Sequence, residues 1–254
     1  MPPLLRAEYR LALARGPALP LLVALANLAL ISWIIPRLPA PVLDFLRHAF
    51  HVQTMADLVL LNDYIAIYLL LYLPGAFALT RVFVRPAEEH ELDLYLTKPV
   101  TRRHYVIART VPTLTLTGAS GVVLALVTAA KVTVLHPPAD ALAVFTAVVT
   151  LTALVLALLA LLNVVYLHLG EVDNALLVAS ALGLAPLIPG ALFLYRPDLL
   201  TDPLAAALLV LPANLLWAPA WMPTIALASV TLAAAAITGL LHLAARRLEQ
   251  HPRL

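Results

Sequence analysis

Residues 85–109 read RPAEEHELDLYLTKPVTRRHYVIAR, the longest polar interruption in a chain that is otherwise mostly hydrocarbon. Acids come first (Glu88, Glu89, Glu91, Asp93), then the Lys98-Pro99 break, then bases (Arg102, Arg103, Arg109). The pattern predicts a short amphipathic helix over 88–96, with acids in its first turn where the helix dipole favours them. Pro99 ends that helix, because the residue before a proline is driven out of the α region. Thr101 then stands where it can N-cap a new helix that runs straight into apolar sequence. Such an elbow, tied rigidly to two apolar helices, is suited to passing force between them and a soluble partner.

Composition bounds the rest. A hydrophobic content of 63% with 12% charged residues lies far outside the range of soluble domains. The long apolar runs indicate a polytopic membrane protein, and the polar segments are too short to build a soluble domain, so 1–254 is read as one membrane domain. A net charge of +2 gives no reason to expect a nucleic-acid partner. With no cysteine, the chain has no disulfide, thiolate nucleophile or cysteine-ligated zinc.

Outward from the elbow, six spans are expected. Residues 1–16 are basic and amphipathic and read as an interfacial helix rather than a signal peptide. Span one is 19–35. A surface helix over 41–53 follows, with Val42, Phe45, Leu46, Ala49 and Phe50 on one side and Asp44, Arg47, His48 and His51 on the other. Thr54 and Asp57 form a capping box that opens span two, 58–80. Span three is 105–130, with Lys131 and His136 to Pro138 marking the turn beyond it, and span four is 141–167. A tight hairpin over 168–173 has Gly170 as C-cap, and Asp173 or Asn174 caps span five, 175–195. Gly183, Pro186, Pro189 and Gly190 predict a kink in that span. The proline-broken segment 196–221 is read as an outer re-entrant or surface element, and span six is 222–243. With both ends inside, Arg6, Arg10, Arg15, Arg81, Arg85, Lys98, Arg102, Arg103, Arg109, Arg246, Arg247 and Arg253 fall on the cytoplasmic side, twelve of the sixteen basic residues. The positive-inside rule favours that arrangement in the cell membrane.

The elbow also carries a family resemblance. Thr97-Lys98-Pro99-Val100-Thr101-Arg102, followed by Tyr105-Val106 and the basic Arg109, resembles the cytoplasmic loop between the second and third spans of type-two ABC transporter permeases. In that family an acidic coupling helix precedes the Lys-Pro signature; His90-Glu91-Leu92-Asp93 stands here where a Gly-Thr pair commonly follows the family's Glu. The resemblance implies an all-α integral membrane subunit that exports or flips its substrate, working with a separate cytoplasmic ABC ATPase that binds ATP and Mg. It further implies pairing with a second permease copy, a homodimer in the simplest case. Glu88, Glu89, Glu91, Asp93, Leu94, Lys98 and Arg102 would be the residues that couple to the ATPase. The sequence agrees on one point: Lys98 and Lys131 are the only lysines and neither follows a GxxxxG loop, so the chain has no P-loop of its own.

Other patterns invite other chemistry. Asn27, Asn62, Asp63 and Asn163 are polar positions inside apolar spans, hence candidates for a transport pathway and equally for helix–helix hydrogen bonding. The remaining walls of Leu, Ala and Val suit a hydrophobic or amphipathic cargo. Gly118-Ala119-Ser120-Gly121 matches the GxSG of rhomboid intramembrane serine proteases, with His242 as a base. The expected depths of Ser120 and His242 differ by about 10 Å or more, which argues against that pairing. A non-transporting accessory membrane protein is the remaining alternative. His90-Glu91 opens no HExxH, because position 94 is leucine. Asp44, His48 and His51 share a helical face that could ligate a metal, but an interfacial helix gives the same polar face without one. No catalytic residue, resident metal or directly bound cofactor is therefore expected.

Overall fold

The computed structural model describes residues 3–14, 18–50, 54–89, 101–135, 140–169, 171–187 and 222–250, and these are helical with no strand among them. In chain order the helices are α1 (Pro3–Ala14), α2 (Ala18–Ile34) with a 3-10 turn at Ile35–Arg37, α3 (Ala40–Phe50), α4 (Met55–Leu79), a π segment (Thr80–Val84) and α5 (Arg85–Glu88). Beyond the elbow come α6 (Arg102–Leu135), α7 (Ala141–Tyr166), α8 (Val172–Leu184) and α9 (Met222–Gln250).

Local chemistry sets several of the starts. At α4 the Thr54 hydroxyl accepts from the Asp57 amide at 3.1 Å, while the Asp57 carboxylate accepts from the Thr54 amide at 3.0 Å. This is the expected capping box. The Asp140 carboxylate caps α7 by accepting from Leu142 and Ala143 amides at 2.8 and 3.3 Å. Thr101 does cap α6, its hydroxyl accepting from the His104 amide at 3.3 Å. At α8 the expectation fails. Its N-cap is Glu171, and the Asn174 amide donates to the Glu171 carboxylate at 2.7 Å instead of capping the helix itself. Gly170 lies outside the described residues, as do the kink expected at Pro189-Gly190 and the segment 196–221.

Four of the described stretches are long and apolar enough to cross a membrane: Ala18–Arg37, Met55–Val84, Arg103–Leu135 and Ala141–Tyr166. Val172–Leu184 and Val230–Arg246 are shorter apolar helices. The chain is thus a helical membrane protein. The sequence boundaries are corrected in two places. Helix α4 does not stop near Thr80 but continues through the π segment to Glu88. Helix α6 reaches Leu135, so Lys131 sits inside a helix rather than in the turn after it.

Helices α4 and α7 form the centre, each with 61% of its most apolar window buried, against 17% for α2 and 28% for α6. Three close approaches fix the register. An added Cβ on Gly75 of α4 would meet the Leu159 side chain of α7 at 2.6 Å, and the Thr80 and Tyr166 hydroxyls lie 3.0 Å apart. A Cβ on Gly121 of α6 would meet Thr152 of α7 at 2.3 Å. Helices α4 and α7 therefore run parallel, and the pairings of Phe83 with Tyr105 and of Asp63 with Lys131 set α6 antiparallel to both. Helix α8 is held to α4 by two tyrosines, stacked at 5.9 Å between ring centroids. The Tyr68 hydroxyl donates to the Gly183 carbonyl at 2.8 Å and the Tyr72 hydroxyl to the Ala179 carbonyl at 2.7 Å. Small residues on α8 admit those rings, in the manner of close helix contacts in lipid.

Candidate functional site

The bundle has two polar regions at opposite ends. At the end away from the elbow, α2, α4 and α6 meet around a buried ion pair. The Lys131 ammonium on α6 bonds the Asp63 carboxylate on α4 and lies 3.5 Å from the Leu28 carbonyl on α2. The Asp63 side chain is wholly buried and that of Lys131 nearly so. An ionised group in an apolar span is very costly alone, so each of these two residues accounts for the other. The neighbouring amides of Asn27 and Asn62 each keep one buried polar atom without a protein partner.

Asn163 does not join them. With Gly75 opposite Leu159 and Thr80 opposite Tyr166, it lies level with residue 78 of α4, about 22 Å along the axis from Asp63. Its amide is fully buried, with neither polar atom bonded. The four candidate pathway residues are thus not brought together: Asn62 and Asp63 on α4 and Asn27 on α2 stand toward the far end, and Asn163 is a single buried amide near the elbow.

At the elbow end, α1 lies against α6. Arg109 Nε is 3.1 Å from Glu8 Oε1, both side chains being largely buried, and the Tyr9 and Thr115 hydroxyls are 2.8 Å apart. Between α1, α2, α4 and α6 is a cavity of 290 Å³. Its charged residues, Glu8, Arg81 and Arg109, stand at the elbow end, and Leu70, Leu71 and Leu124 line its deepest part. Pro74 in α4 and Pro112 in α6 both line it, as does Val82 of the π segment. Each proline removes a helical N–H and leaves the carbonyl four residues earlier without its usual donor, so the walls are weakest where the cavity lies. A π segment has the same local effect and marks functional positions in many helices.

The elbow residues are only partly in view. The helical path from Met55 ends at Glu88, so Glu88 closes that path instead of opening a new helix, and Glu89 follows it as an exposed residue paired to Arg85 at 2.7 Å. Glu91, Asp93, Leu94 and Lys98 lie outside the described residues, as does the Arg102 side chain. Ser120 lines the cavity, to which no described residue of α9 contributes, and it shares no hydrogen bond with the exposed His242. Among the described residues, Ser120 and His242 are therefore not brought together. On α3, His48 Nδ1 contacts the Asp44 carbonyl at 2.9 Å and Arg47 approaches the Asp44 carboxylate at 4.0 Å, while His51 lies outside the described residues.

Glu8, Arg81 and Lys131 are the residues that pattern reading passed over. Glu8 is the lone acid in a basic helix, and Lys131 is the only lysine between the elbow and the C-terminus. Asking what neutralises Asp63 would have singled out Lys131. Compared with known proteins, the chain matches no family model, no curated protein and no solved structure.

Proposed function

We propose that this chain is the membrane-spanning permease subunit of an ATP-binding cassette exporter, crossing the cell membrane six times with both termini cytoplasmic. It works with a second permease copy and with a separate cytoplasmic ATPase that holds ATP and Mg. The observation that carries this reading is mechanical. The Lys-Pro elbow connects two long apolar helices directly, and each arm is interrupted a few turns in, by Pro74 and the π segment on one side and by Pro112 on the other. A push on the elbow therefore bends the inner halves of α4 and α6, while the outer halves are held together by Asp63 and Lys131. Glu89, exposed at the elbow, and Asp93 supply negative charge for a basic groove on the ATPase.

The test is purification of the tagged chain in mild detergent with whatever it holds. Vanadate-sensitive ATP hydrolysis should co-elute, and because the chain has no P-loop that activity must belong to a partner. Reversing both Glu89 and Asp93 to lysine should remove it. Absence of co-eluting hydrolysis, or hydrolysis unaffected by the reversal, would count against the reading.

A further inference from the structure

The cavity at the elbow end has the dimensions and polarity of a ligand site. Along α6 it extends from Arg109 to Leu124, about 22 Å, and along α4 from Leu70 to Arg81, about 17 Å. One leaflet of a ~30 Å hydrocarbon layer is ~15 Å deep. A volume of 290 Å³ spread over that length is at the small end of ligand cavities and suits one hydrocarbon chain.

Charge is confined to the mouth. Glu8 and Arg109 neutralise each other there. Arg81 has the Phe77 ring face at 5.2 Å and no carboxylate partner among the described residues, so its guanidinium is the cation at the mouth that an anionic head can meet. The hydroxyls of α6 give an independent sign. Thr110, Thr115, Thr128 and Thr133 each donate to a carbonyl of their own helix, the usual arrangement in an apolar setting. Thr113, Thr117 and Ser120 line the cavity and make no hydrogen bond among the described residues. At i, i+4 and i+7 they share one helix face. Hydroxyls left unbonded in apolar surroundings are unfavourable, and a ligand carrying acceptor oxygens near its head would satisfy them.

We propose that this cavity binds a single-chain amphiphile with an anionic head group: the head at Arg81, its linking oxygens on Thr113 and Thr117, its chain between Leu70 and Leu124. As a ligand site this stands without any ATPase. As the cargo of the exporter it rests on the permease reading above.

The experiment uses the purified full chain alone in phosphatidylcholine nanodiscs, photolysed with a diazirine-bearing palmitate and mapped by peptide mass spectrometry. Labelling should fall on α4 and α6 within 70–82 and 112–124. Unlabelled palmitate should compete, uncharged monopalmitoylglycerol should not, and two-chain phosphatidylglycerol should compete poorly. Competition by lysophosphatidylglycerol as well would admit a phosphodiester head, and competition by palmitate alone would fix a carboxylate; both support the site. Arg81→Gln should weaken binding about tenfold, the loss of one charge-assisted contact. Ala78→Trp should abolish labelling by filling the cavity, while Leu73→Trp, on the exposed face of the same helix, should leave it unchanged. If Ala78→Trp fails to fold, Arg81→Gln and the peptide map decide. Labelling outside the cavity walls, equal competition by the uncharged or two-chain lipid, or full labelling of Ala78→Trp would overturn the proposal. Binding that is intact but unaffected by nucleotide in the ATPase complex would remove the cargo role and leave the site.

Discussion

The two ends of this bundle treat charge in different ways. At the far end Asp63 and Lys131 spend their charge on each other, across two helices and against a third, while Asp63 Oδ1 and one polar atom each of Asn27 and Asn62 stay buried without a partner among the described residues. At the elbow end the hydroxyls of Thr113, Thr117 and Ser120 line a cavity and Arg81 stands at its mouth, neither the hydroxyls nor Arg81 having a hydrogen-bond or carboxylate partner among the described residues, and both long helices carry a proline. A buried charge with its partner costs less to keep than to break, so the first end is a clamp. Proline-interrupted ladders beside an open cavity make the second end responsive to whatever enters it or pushes on it.

Breaking the clamp should give the largest effect. Lys131→Met leaves the Asp63 carboxylate buried alone and should destabilise by about 3–5 kcal/mol, read as thermal unfolding in detergent. Adding Asp63→Asn to that variant should restore much of the loss. Two costs that simply add would show that the pair is not coupled.

Packing comes next. Gly183→Ala puts a Cβ 2.3 Å from the Tyr72 ring, whose hydroxyl is fixed on the Ala179 carbonyl, so the ring cannot retreat easily. The cost should be about 1–3 kcal/mol. At Gly239 nothing lies within 4 Å of an added Cβ, and the same substitution there should be neutral or stabilise by up to ~1 kcal/mol through helix propensity. Equal effects at both glycines would contradict the register given for α4 and α8.

The smallest stability effect is expected at the responsive end. Glu8→Gln weakens the hold of α1 on α6, so hydrogen exchange over 3–14 should speed up while the melting temperature of the bundle changes by only a few degrees. A collapse of the whole fold would mean that α1 is part of the core rather than a cover over the cavity.

Much of this fold is legible in the sequence because the signals are local. Thr54 and Asp57 announce a helix start, Thr101 another, and the apolar runs mark the long helices within a few residues. What was misjudged depended on partners distant in sequence. Lys131 reads as a turn marker until Asp63, 68 residues away, neutralises it and lets α6 run on to Leu135. Glu88 reads as the first acid of a new helix, yet α4 carries through the π segment to reach it, with Pro86 inside its last four residues. Of the candidate pathway residues, Asp63 was found by its cost in lipid. The cavity was not found, because Arg81 and the three hydroxyls of α6 share a site only once α1, α2 and α4 are packed around it.

The most direct test of the account is a pair of distances in a complex with the ATPase proposed above, measured by spin labels on introduced cysteines; the native chain has none. One pair, at Phe77 and Arg103, lies on the elbow side of Pro74 and Pro112, and the other, at Ile65 and Val134, lies beyond both prolines; all four positions are exposed. Adding ATP with vanadate should shift the 77–103 distance and leave the 65–134 distance unchanged. Equal movement of both pairs, or none in either, would contradict a bundle clamped at one end and driven at the other.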